Sequence, residues 1–463
     1  MSLNGKKDLL SGSLIRNMLL FTIPVILSGV LQLVFNAADL IVVGKFDVEN
    51  GSLAQAAIGS TGSMINLVVG VFIGISVGVN VVIARLIGSK SYEGLKTAVQ
   101  TAMLLALCAG AVIAVAGYVF TKPLLRVIDT EATVMPFAVK YLRIYFIGAP
   151  FSMIYNFGAA IMRAYGDTKR PMLFLATGGV INVILNLITV VVFDMSVQGV
   201  AIATSASNFI ACLLITISLI RTNEPIKLRI KGIRLNLNWV SQIVKLGLPA
   251  GIQGSLFSLS NVVIQSAVNS FGNPHITAGN GNAANVEGFI YLAMNAFYQT
   301  SITFTGQCCG AKKYELLKKI YMTSLLLVVI TGITVGYSAF FLREPLMMMY
   351  SSNSEDVAAG MARMTVICLT YFLCGMMDVT TGFIRGMGNS VVPMIISLIG
   401  ACGFRIVWIY TVFKVWRSTF GLYISYPITW LLTFSALFVF AEYCRRKLIK
   451  QDLANFKNIC VVK

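Results

Sequence analysis

The sequence predicts an all-α integral membrane protein, with twelve transmembrane helices in two pseudo-symmetric six-helix lobes around a central cleft. Three observations carry this. Of 463 residues, 57% are hydrophobic and only 12% charged, against about 25% charged in an ordinary soluble domain. Mean hydropathy is +0.81, more apolar surface than one or two soluble cores can hide beneath a wettable exterior. The apolar residues fall in runs of about 20 or more, the length that crosses about 30 Å of hydrocarbon.

The runs begin near Met18, Ala56, Thr97, Thr133, Pro171, Ser196, Trp239, Ile276, Lys318, Val357, Val391 and Thr419. The first follows a polar, basic stretch, Met1 to Arg16, which reads as an uncleaved start rather than a signal peptide. Pro24, Pro150, Pro249 and Pro427 fall inside or near the ends of runs. Membrane helices tolerate such prolines where neighbouring helices or cavity water satisfy the freed carbonyls.

Cations mark every second junction. Arg85, Lys90 and Lys96 separate runs two and three; Arg163, Lys169 and Arg170 separate four and five. A long basic loop, 221–238, follows run six, and Lys312, Lys313, Lys318 and Lys319 follow run eight. Arg385 follows run ten, and a basic tail closes the chain. With Lys6, Lys7 and Arg16 of the N-terminal stretch and Lys245 just past the long loop, 26 of the 36 Lys and Arg residues fall on this side, nine occupy the alternate segments, and Arg405 alone lies deep in a run. By the positive-inside rule both termini are cytoplasmic. The same placement accounts for the net charge of +18 without a nucleic acid partner.

The two halves repeat. Arg163-Ala-Tyr-Gly166 through Pro171-Met172 matches Arg385-Gly-Met-Gly388 through Pro393-Met394 at an offset of 222 residues, and Gly88-Ser-Lys90 matches Gly310-Ala-Lys312 at the same offset. Pro24 and Asn36 match Pro249 and Asn261 at 225. Lobes of residues 1–225 and 226–463, joined through loop 221–238, follow. Six spans per copy give both copies one orientation, so the repeat axis lies along the membrane normal. Such a pair suits rocking between inward-open and outward-open states.

Asp39, Glu287 and Asp378 are the acids well inside predicted spans. An intramembrane carboxylate is costly unless paired or hydrated, which makes each a candidate functional group. Gln32, Asn36 and Asp39 form one stripe at i, i+4, i+7, and Asn182 and Asn186 share a helix face. Counting residues from the outer helix ends puts Asp39 about 9 Å deep, Asn186 and Thr204 about 12–15 Å, and Asn182 about 18 Å. Asp39, Asn182, Asn186 and Thr204, with Asn36 nearby, are therefore the candidate cation- or proton-coupling group. Glu287 and Arg405 fall near mid-membrane and are expected either to pair or to form a second site; Asp378 either pairs with Arg405 or lines the inner cleft. Arg163 and Arg385 read as conformational locks or phospholipid contacts, and His275 as a solvated turn residue.

No phosphate-binding loop occurs, nor a soluble stretch long enough for a nucleotide-binding domain. No metal-ligand cluster or nucleophile–base motif is visible, so neither an enzyme, a cofactor nor a nucleotide is expected. The nine cysteines read as packing groups, with no disulfide framework.

The residues that carry the repeat also carry a resemblance. Ile23-Pro24, Asn36-Ala-Ala-Asp39 through Gly44-Lys, Arg163 through Pro171, Gly199-Val-Ala-Ile-Ala-Thr204, Gln307-Cys-Cys-Gly310 and Ile384-Arg385-Gly386-Met-Gly388 together resemble the multidrug and toxic compound extrusion (MATE) family over nearly the whole chain. The seventh run lacks the acid of the NorM-like branch, so the chain looks closer to the DinF-like one. The resemblance implies an antiporter of the bacterial inner (plasma) membrane, a monomer among membrane lipids. It would export amphipathic, often cationic small molecules by alternating access against inward H⁺ or Na⁺. It implies the same network around Asp39, with one departure: Asn186 stands where many relatives have aspartate. A flippase for a lipid-linked sugar precursor is the alternative reading. That activity calls for deep cations to meet a pyrophosphate, and only Arg405 is deep. A channel or a non-transporting sensor is a third.

Overall fold

The computed structural model describes residues 9–47, 51–127 and 130–461, and no strand occurs among them. The first six rods are α1 (Leu14–Phe46), α2 (Gly51–Gly88), α3 (Tyr92–Val127), the pair α4 (Met135–Ile147) and α5 (Ala149–Tyr165), α6 (Lys169–Leu187), and α7 (Ser196–Arg221). The next six are α8 (Leu237–Asn269), α9 (Pro274–Gly310), α10 (Leu316–Phe341) with the short α11 (Arg343–Met348), and α12 (Ser354–Gly386). They continue with a broken rod of α13 (Val391–Ser397), α14 (Phe404–Tyr410) and α15 (Val412–Val415), and end with α16 (Thr419–Tyr423) leading into α17 (Ser425–Val461).

Nine of the described helices are long and apolar enough to cross a membrane, ten when the α4–α5 pair, bent by 48°, counts as one span. Gly148 and Pro150 sit at that bend, where proline removes a ladder donor. The helices α8 and α9 complete the twelve. At 33 and 37 residues they are long enough, but α9 carries Asn280, Asn282, Asn285 and Glu287 in its first half, which lowers its hydropathy.

The repeat extends to the backbone. At the end of α5, Gly166 takes φ +100°, with Gly166 N–H donating to Arg163 O and Asp167 N–H to Met162 O. At the end of α12, Gly388 takes φ +87°, with the same two bonds to Arg385 O and Ile384 O. Both are Schellman closures, which need a left-handed residue. The ends of α2 and α9 repeat this with lysine: Lys90 and Lys312 each sit at φ +55°.

The chain divides into two compact units, Pro24–Ser255 and the remainder. The divide cuts α1 at Pro24 and α8 after Ser255, so residues 226–255 cluster with the first half rather than beyond the expected 225/226 junction. Glycines explain the attachment of α8. Gly74 and Gly78 on α2 face Gly247 and Gly251 on α8, each pair four residues apart. A Cβ added at Gly74 would lie 2.2 Å from Gly251 Cα, and one at Gly247 would lie 2.5 Å from Ile75 Cα. Opposed G-x-x-x-G pairs let membrane helices meet backbone to backbone.

Within Pro24–Ser255, Val79, Ile83, Leu95, Phe157, Ile161 and Ile215 build one buried cluster and Val43, Leu142, Phe146, Met153 and Val200 another. In the other unit α9 packs along α12, and Tyr321 stacks on Phe383 at 4.5 Å. Thr22 and Thr300 hydroxyls meet at 2.7 Å there. Cys212, Cys368 and Cys402 are buried, whereas Cys108 is exposed. His275 is not a free turn residue. It lies in the first turn of α9, with Nδ1 2.8 Å from Asp356 Oδ1 and Nε2 3.4 Å from Glu355 Oε2 at the start of α12.

Candidate functional site

Helices α1, α6 and α7 bring four of the expected residues into a closed ring. Asn186 Nδ2 donates to Asp39 Oδ1 at 2.5 Å and to Asn182 Oδ1 at 3.2 Å. Asn182 Nδ2 donates to Thr204 Oγ1 at 3.4 Å, and Thr204 Oγ1 donates to Asp39 Oδ2 at 3.4 Å. Asn182 and Asn186 share a face because they lie one turn apart on α6. A tight turn between α6 and α7 then returns Thr204 to the same depth.

The ring is dry. Asp39 is 7% exposed and Asn186 fully buried. Asn186 Oδ1 nevertheless has no hydrogen-bond partner. Turning the amide over would aim that oxygen at the carboxylate, so an unpartnered acceptor is the consequence of donating to Asp39. Directly after Asn186 the helix widens into a π turn, Ile188–Val192, a feature frequent at functional sites. Asn36 is exposed on α1 and stays outside the ring.

Four side-chain oxygens meet here, two from Asp39 and one each from Asn182 and Thr204, while Asn186 turns its amide nitrogen to the carboxylate. An all-oxygen set suits a hard cation. A proton on Asp39 would serve the same electrostatic end. Among the described residues no group of three or more His, Cys, Asp or Glu is placed to hold a metal.

The second expected constellation forms differently. Glu287 does not meet Arg405. It is gripped by Arg363, whose Nε and Nη2 donate to Glu287 Oε1 and Oε2 at 2.8 and 2.6 Å. Arg363 Nη1 donates to Asn280 Oδ1 at 2.6 Å, and Asn280 Nδ2 to Gln265 Oε1 at 2.8 Å. Arg363 is one of the nine cations that the sequence count placed in the alternate segments between runs. It is 5% exposed and about 13 Å along α12 from Ser354, so Arg405 is not the only deep cation. The signal was available: Arg363 falls six residues inside the run beginning at Val357.

Arg405 stacks over Tyr426, 4.1 Å to the ring centre, and donates to Thr429 Oγ1 at 3.3 Å, while its Nε has no partner. It makes no ion pair with Asp378 either. Asp378 Oδ2 is buried and unpartnered, and the cation that bears on it electrostatically is Arg385. Arg385 itself donates to the Tyr298 hydroxyl.

The MatE family model matches residues 24–188 and again 249–411, in register with the internal repeat. The chain belongs to the MatE family. Among its MatE relatives, the probable multidrug resistance protein YoeA of Bacillus subtilis is 25% identical, covering 93% of this chain and 94% of its own. A FAD transporter of Shewanella oneidensis is 24% identical over 76% of this chain and 78% of its own. In fold, the chain matches an outward-facing multidrug resistance MATE transporter with a TM-score of 0.88 at 19% identity, over 97% of this chain and 100% of that one.

Proposed function

We propose that this MatE-family chain is an ion-coupled antiporter that exports amphipathic, often cationic small molecules by alternating access. In this reading it lies in the plasma membrane as a monomer with both termini in the cytoplasm. The observation that carries it is the Asp39 ring. An ionised carboxylate buried among two amides and a hydroxyl is costly without a counter-charge. A bound cation or a proton removes that cost, so site occupancy can bias the helices that build the ring. The names of the curated relatives support drug export as the cargo.

Ethidium movement in proteoliposomes, under an imposed pH gradient and then a Na⁺ gradient, tests the proposal. The account expects movement that follows one gradient and stops when an ionophore collapses it. Ethidium flux under neither gradient contradicts it.

One observation favours a second reading. Arg405 is a buried guanidinium without a carboxylate partner, which suits an anionic group on the transported molecule. Lipid-linked sugar flipping in the same liposomes, without ethidium flux, would replace the first reading by this one.

A further inference from the structure

Exposed basic residues near the α3 C-terminus line up above a shallow apolar groove. The groove has a volume of about 310 Å³ and is lined by Ala114, Val115, Tyr118, Val119 and Ile147. It opens outward: Val115, Val119 and Ile147 are 67%, 59% and 58% exposed. The periodicity continues towards the helix end. Val115, Tyr118, Val119, Lys122 and Arg126 follow i, i+3, i+4, i+7 and i+11 on one face of α3. On α4, Lys140, Arg143 and Ile147 follow i, i+3 and i+7. Each helix therefore carries an apolar surface that turns basic towards the same membrane face.

Arg143 joins the two. Its guanidinium lies 4.8 Å from the Tyr118 ring centre, and its Nε is buried without a partner. None of Lys122, Arg126, Lys140 or Arg143 makes an ion pair among the described residues. Glu131, at the same end, accepts from Thr133 instead. Tyr118 lies about 13 Å from the end of α3 and Arg143 about 12 Å from the start of α4. Cations are thus stacked from the helix ends down to the mouth of the groove.

We propose that this face of the Pro24–Ser255 unit is a binding site for one anionic phospholipid. An acyl chain lies in the groove against Val115, Val119 and Ile147. The phosphate meets Arg143, a fork suited to phosphate oxygens, and Lys122, Arg126 and Lys140 extend along their stems to the headgroup. A zwitterionic lipid fills the same groove but lacks the net charge for this row of cations.

Native mass spectrometry of the full chain released from nanodiscs of equimolar phosphatidylglycerol and phosphatidylcholine tests the proposal. Wild type should retain phosphatidylglycerol over phosphatidylcholine by on the order of tenfold. The double variant Arg143→Gln/Lys122→Gln should bring the two lipids to parity. Val119→Trp, which fills the groove and keeps every charge, should reduce retention of both. If removing Arg143 prevents folding, Lys122→Gln/Arg126→Gln, at exposed positions, makes the same comparison. Lys318→Gln/Lys319→Gln, at the start of α10 in the other unit, should change nothing. Parity in wild type overturns the site. Full retention in the Arg143 or Val119 variants overturns it too, as does an equal loss in the Lys318/Lys319 variant.

Discussion

Arg363 holds Glu287 through two parallel hydrogen bonds, both side chains buried where α9 packs along α12. Removing one partner strands the other charge in a membrane-embedded core. Glu287→Gln or Arg363→Gln should each destabilise the protein by about 3–5 kcal/mol. The paired apolar change, Arg363→Met with Glu287→Leu, should cost less than either. Thermal unfolding of the purified protein in one detergent checks this. Additive losses in the double variant would show that the pair is not acting as a unit.

The left-handed lysines make a gain rather than a loss. Lys90 and Lys312 occupy the closure position that Gly166 and Gly388 fill elsewhere in the repeat. A left-handed Cβ costs roughly 1–2 kcal/mol, partly offset by the extra unfolded-state freedom of glycine. Lys90→Gly and Lys312→Gly should therefore each raise stability by about 0.5–1 kcal/mol, and Gly166→Ala should lower it by a comparable amount. The melting temperatures of the three variants check the signs.

Backbone contact between α2 and α8 leaves no room for a side chain at Gly251, where a Cβ would come within 2.2 Å of Val71 O. Gly251→Leu should destabilise by at least about 1–3 kcal/mol. At Gly70, one turn before Gly74 on α2, nothing lies within 4 Å of an added Cβ. Gly70→Ala should leave unfolding unchanged or slightly delayed, measured in the same scans.

An acid at position 186 would change the ring's charge. Asn186→Asp would add a second carboxylate beside Asp39, and cation sites tighten with ligand charge. Na⁺ affinity, read by isothermal titration, should rise on the order of tenfold. The variant should also become more dependent on Na⁺ for thermal stability, because an unfilled site would hold two like charges in a dry pocket.

Much of this was legible in the sequence, for physical reasons. Helix number and the ring around Asp39 followed from apolar run length and residue depth, both governed by a fixed rise per residue. The repeat at offset 222 fixed the Gly166 and Gly388 closures, which reappear bond for bond. Partner choice was harder to read. Similar depth offered Arg405 as one possible partner for Glu287, but depth does not say which helices touch. It is the packing of α9 along α12 that brings Arg363 to it. Asn36 shares Asp39's stripe yet stays exposed, since that stripe is wider than the face α6 and α7 cover. The opposed glycine pairs on α2 and α8 were visible as G-x-x-x-G spacing. Their meaning rests on a pairing of distant helices that spacing within one helix does not give.

In the proposed mechanism the Asp39 carboxylate couples an ion gradient to transport. The most direct measurement compares wild type with Asp39→Asn in proteoliposomes, reading both ethidium binding and gradient-driven ethidium flux. The account predicts that the neutral variant keeps its fold and binds ethidium, but that an imposed H⁺ or Na⁺ gradient no longer drives flux. Gradient-driven flux at the wild-type rate in Asp39→Asn would contradict it.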